Sequence, residues 1–146
     1  MSGADPKSAY QAVIRAIGPG DTASLAELLA PDLVDHNAVP GQPAGLAGFL
    51  WWAQTARAAF PDLAGTVEDA VAEGDKVAGR VTWRGTHRGT FLGVPGTGAP
   101  VEFAAFHIVR FVGGRATEWW GTGDLLGALL QVGASVTPPP AGARSR

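Results

Sequence analysis

The chain has no cysteine, which removes disulfides, thiolate metal sites and a cysteine nucleophile in one step. Charge is also scarce, at 16% of residues, and neither sign dominates: eleven basic against thirteen acidic side chains leave a net charge of −2. Nucleic acid and an anionic membrane surface are therefore poor candidates for the main partner. No apolar run approaches the ~18 residues of a membrane span. The N-terminal MSGADPK lacks the charged and apolar regions of a signal peptide, so a soluble cytoplasmic protein is the expectation. The three histidines, His36, His87 and His107, are too scattered to read as a metal set.

The chain is rich in apolar residues, at 46%, over a length of 146, enough for one domain with one sizeable core. The domain is expected over residues 6–133, with residues 1–5 and the proline-rich 134–146 as disordered tails. Twenty-one glycines and five tryptophans suggest tight turns and an aromatic-lined cavity, although large aromatics more often fill cores.

The first half reads as helices. Pro6 suits a first helical turn, and Tyr10, Val13, Ile14 and Ile17 then share one face. Asp21 can cap a second helix that buries Leu25, Leu28 and Leu29 and stops at Pro31. A loop follows, with His36 near the end of a short extended piece. Leu46, Phe49, Ala53, Ala56 and Phe60 recur at spacings of three and four, which predicts a long helix over Ala44–Phe60.

The second half reads as strands. Val77, Gly79, Val81, Trp83 and Gly85 alternate with Lys76, Arg80, Thr82 and Arg84. Val101, Phe103, Ala105, His107, Val109 and Phe111 share a face that is apolar except for the histidine. Gly113-Gly114 turns the chain into a last strand, and Leu125–Gln131 follows as a short helix. Helices first and strands afterwards predict an α+β domain, a curved antiparallel sheet wrapped around the long helix with a cone-shaped pocket between them. Gly93, Gly96 and Gly98 do not form a phosphate cradle, because no lysine and no strand-to-helix transition follow them.

Several stretches together resemble the SnoaL-like polyketide cyclase family, within the superfamily of nuclear-transport-factor-2-like folds. They are GDTASLAELLAPDLVDHN, AFPDL at 59–63, EGDKVAGRVTWRGTHRG, GTHRGTFLGVPGTG and GGRATEWWGTGDLLGALLQVG. The resemblance runs from about Gly20 to Gly133. It implies a conical α+β barrel, often a homodimer, and ring closure by aldol chemistry on an aromatic polyketide ester without metal or cofactor. The family's acid/base carboxylate resembles Asp124, four residues after Trp120, and its supporting histidine is nearest to His107. Glu118-Trp119-Trp120 stands where a Glu-His-Trp is commoner.

Asp124 is thus expected on the floor of an apolar cavity among Trp119 and Trp120, where burial would raise its pKa. The competing reading is a cap on the following helix, which would lower it. His107 is expected in the pocket wall. Trp83, Phe103, Phe49 and Trp52 are candidate walls for a flat ligand, with core packing as the alternative for each. His36 is a candidate for the pocket mouth, though a local capping role is the stronger reading. His87 is assigned near the pocket, with a turn-stabilising role favoured. Arg80, Arg84 and Arg110 fall on outward faces, and the outward placement of Arg80 and Arg84 argues against an epoxide-hydrolase-like reaction on the same fold. A non-catalytic binder of a hydrophobic metabolite uses the same pocket without proton chemistry. The outer face, with Thr82, Phe106 and Ile108, is the expected dimer surface.

Overall fold

A computed structural model describes residues 5–137 and 140–142. Of the expected disordered tails, residues 1–4, 138–139 and 143–146 lie outside the described residues. Asp5 is not frayed: its carboxylate accepts from the backbone N–H groups of Lys7 and Ser8 and so caps helix α1, Pro6–Ile17. Helix α2 is Thr22–Leu28, capped by Asp21. Leu29 is not helical. It begins strand β1, Leu29–Asp35, which carries Pro31 within it. Proline is tolerated there because β1 is an edge strand whose pairing is irregular between Leu29 and Val34.

Helix α3, Gly45–Ala59, is the expected long helix. Of its predicted stripe, Phe49, Ala53 and the C-capping Phe60 are buried, and Leu46 and Ala56 are half-buried. Strands β2, Ala64–Glu73, β3, Lys76–Thr86, β4, Pro100–Val112, and β5, Arg115–Gly123, form an antiparallel meander. The β4–β5 turn needs positive φ at both central residues, and Gly113 and Gly114 supply it at 59° and 81°. Helix α4 is Leu125–Gln131.

The strand order is β1-β5-β4-β3-β2. Two expectations change here. The sheet is mixed rather than antiparallel, because β1 runs parallel to β5. It is also open and not a closed barrel, because β1 and β2 end as edges. Bulges in β2, at Glu68 between Val67 and Asp69, and in β5, at Thr117 opposite the step from Arg110 to Phe111, add local twist.

The strand faces follow the sequence alternation. Val77, Val81, Trp83, Val101, Ala105, Val109 and Phe111 are buried against the helices, whereas Phe106 and Ile108 are 53% and 47% exposed on the outside. The outward arginines are ion-paired: Arg80 with Asp69, Arg84 with Glu102, and Arg110 with both Asp75 and Glu118. Among the described residues, no helix is long and apolar enough to cross a membrane.

Candidate functional site

A cavity of about 320 Å³ lies between α3 and the inner face of the sheet. Phe49, Trp52, Ala53 and Ala56 line it from α3, and Trp83, Phe103 and Trp119 line it from the strands. Trp119 meets Phe49 edge-on, with centroids 5.0 Å apart and planes at 71°. Five predicted wall residues therefore meet in one place: Phe49, Trp52, Trp83, Phe103 and Trp119.

His107 is the sixth. It projects from the inner face of β4, its ring 5.0 Å from that of Trp119, and its Nδ1 lies 2.7 Å from the hydroxyl of Tyr10 on α1. Burial lowers its pKa to about 4, against a smaller opposing pull from the charge of Asp35. The imidazole is therefore neutral at pH 7. Burial also pushes the Tyr10 phenol well above its ordinary range.

Asp124 does not sit on the cavity floor. It is exposed, and its Oδ1 accepts the backbone N–H of Gly127 at 2.8 Å as the N-cap of α4. Its neighbours Gly123 and Leu125 line the cavity and Asp124 does not. The capping reading describes its geometry, because the chain turns from strand to helix at this residue and the carboxylate is used locally.

Three further candidates lie elsewhere. Trp120 alternates with Trp119 and so faces outward, where Lys76 stands 5.3 Å over its ring. His36 is exposed, stacked on Trp120 and 3.1 Å from Glu118. His87 is fully buried but belongs to the loop after β3: its Nε2 donates to the carbonyl of Val94, and its Nδ1 accepts from Thr97. That is the turn-stabilising role.

Asp35 is not singled out by the sequence pattern. It is the only carboxylate lining the cavity, and with His107 the only ionisable group there among the described residues. Its Oδ1 accepts from the backbone of Asn37 at 3.0 Å and its Oδ2 from Nε2 of Gln42 at 2.9 Å. Asn37 in turn accepts the N–H of Gly121 through its side chain, tying the loop to β5. The signal was present, because Asp35 lies two residues beyond the buried Leu33 and period two puts both on one face. Among the described residues, no arginine or lysine lines the cavity.

An open mixed sheet folded over a long helix, enclosing an aromatic pocket with few polar groups, is the architecture of the nuclear-transport-factor-2-like class. The SnoaL-like polyketide cyclase profile matches residues 7–132, and the chain belongs to that family. Among solved structures it is similar to IdmH from Streptomyces antibioticus, a candidate polyketide cyclase, at 38% identity and a TM-score of 0.80 over 90% of this chain and 100% of that one. It is also similar to TsrD from Streptomyces laurentii, at 29% identity and 0.81, over 88% and 95%. AclR from Streptomyces galilaeus, a candidate hydroxylase, matches at 30% and 0.76, over 88% and 95%. No curated protein matches.

Proposed function

We propose that the protein is a polyketide cyclase-type enzyme that moves a proton at carbon next to a carbonyl in a hydrophobic, aromatic small molecule. The observation that carries this reading is that one carboxylate, Asp35, and one neutral imidazole, His107, line the same largely apolar cavity, whose other polar lining residues are Asn37, Gln42 and Thr122. Asp35 takes the proton alpha to the carbonyl and leaves an enolate. The enolate carbon attacks a second carbonyl of the same molecule and forms the ring bond. The new alkoxide then takes the proton back from the Asp35 carboxylic acid. The role first expected of Asp124 passes to Asp35, because among the described residues Asp35 is the one carboxylate that lines the cavity. A hydrolase reading needs a second carboxylate and an arginine in the pocket, and neither lines it among the described residues. The same reading includes a homodimer through the outer sheet face around Phe106 and Ile108.

The test is exchange of the alpha protons of 1-tetralone, a flat aromatic ketone, in deuterated buffer, followed by proton NMR. Exchange faster than buffer for the native chain and lost in Asp35→Asn is the expected result. Binding without accelerated exchange would make the protein a carrier of hydrophobic metabolites instead.

A further inference from the structure

His107 has a glycine on each side across the sheet, Gly79 of β3 and Gly121 of β5. Neither glycine adopts a positive φ, so the reason for them is space. A Cβ on Gly79 would collide with Cε2, Cζ and the hydroxyl of Tyr10. A Cβ on Gly121 would stand 2.8 Å from Cδ2 of His107. One vacancy lets the phenol of α1 reach the imidazole, and the other lets the imidazole lie where it does.

Tyr10 is fully buried, and its hydroxyl has one partner, Nδ1 of His107. Two arrangements fit that contact. If Nδ1–H donated to the phenol oxygen, the phenol proton would be buried without an acceptor, which is disfavoured. If the phenol donates, every group is satisfied. Nδ1 is then the acceptor, and a neutral imidazole must carry its single N–H on Nε2. Among the described residues no group pairs with Nε2 and no buried side-chain nitrogen lacks a partner, so Nε2 is accessible, on a side chain that lines the cavity.

We infer that Tyr10 is a positioning residue that fixes His107 as a hydrogen-bond donor, so that the site takes ligands presenting a carbonyl or enolate oxygen to Nε2–H. This rests on the proton-transfer reading of the cavity and divides its labour. Asp35 accepts the proton from carbon. His107 does not act as a base; it holds the oxygen on which the enolate charge develops. The hydrogen bond strengthens as that charge grows, which favours the transition state over the bound ketone.

The experiment reads the His107 ring directly, by nitrogen-15 NMR of the ligand-free chain at pH 7, with His107→Gln used for assignment. The expected native spectrum is that of a single Nε2–H tautomer. Tyr10→Phe, which removes only the hydroxyl, should give a mixture of tautomers, and Gly79→Ala, which displaces the phenol, should do the same. The carbonyl infrared band of bound 1-tetralone should lie at lower frequency in the native chain than in Tyr10→Phe. Its affinity should fall about threefold to tenfold in that variant, the worth of one hydrogen bond. A native Nδ1–H tautomer overturns the proposal, and so does a tautomer indifferent to Tyr10→Phe. An Nε2–H ring that responds to Tyr10→Phe, with no 1-tetralone bound, supports the Tyr10 assignment and overturns the reading of the cavity.

Discussion

Asp35 and His36 are neighbours in the chain and serve opposite faces of the sheet. Asp35 lines the cavity, while the ring of His36 lies on Trp120 outside it, with centroids 4.4 Å apart and planes 4° from parallel. The alternation of β1 separates the two roles cleanly enough to test each alone.

Asp35→Asn should lower turnover by about 10²–10⁴-fold, the usual worth of a positioned acid/base. The fold should lose only about 1 kcal/mol, because asparagine keeps one acceptor oxygen for the two donors that now meet Asp35. His36→Ala should leave turnover within a small factor, since its stack on Trp120 and its contact with Glu118 lie on the outer face. Alpha-proton exchange rates and denaturant midpoints measured together on both variants decide the matter.

The last helix offers a second contrast. Asp124→Ala should cost about 1 kcal/mol by removing the carboxylate that accepts from Gly127. Asp124→Asn should be close to neutral, and both should keep alpha-proton exchange near the native rate. Loss of exchange in Asp124→Asn with native melting would return the acid/base role to this residue.

Acid should weaken the fold in a particular window. Burial lowers the His107 pKa from its ordinary 6.5 to about 4, so between those values the unfolded chain binds a proton that the folded chain refuses. The stabilising contribution is complete above pH 6.5 and is lost as pH falls toward 4. The difference amounts to about 3 kcal/mol. Asp5, Asp21, Asp62 and Glu118 all have lowered pKa values, so their contributions fade mainly below pH 4 to 5. Urea titrations at pH 7, 5.5 and 4 should show a slope that His107→Gln flattens above pH 5. An equal slope in both proteins would mean that His107 is protonated readily in the fold.

On the outer face, Ile108→Lys should convert a dimer into monomer without loss of the cavity. Ile108 pairs across the sheet with Trp120, and Phe106 beside it is also half-exposed. Light scattering at micromolar concentration checks this, and a native protein that is already monomeric there rules the interface out.

The periodic elements could be read from the chain because a face repeats a signal. The α3 stripe and the alternation of β3 and β4 each rest on five or six agreeing residues. The first strand was harder: Leu29 continues the helical spacing of Leu25, and Pro31 reads as a stop. Its pairing with β5 is a partnership between distant segments that no local pattern announces. The site followed the same division. The wall aromatics inherited their direction from the strands. Asp124 did not, because a residue at a strand-to-helix junction obeys the cap. Tyr10 looked like one more apolar residue of α1, since nothing in a helical stripe tells a phenol which atom it will meet.

The parallel pairing of β1 with β5 also orders events in time. The β2–β5 meander can zip from its hairpins, each closing a short loop. The first strand must wait for the last one, and a long loop between them must be closed before their hydrogen bonds form. Asp35 therefore enters the cavity wall only when the two ends of the fold meet. The amides of β1 should be among the last strand amides to become protected from hydrogen exchange during refolding. A chain caught midway would have its aromatic pocket walls but no carboxylate among them.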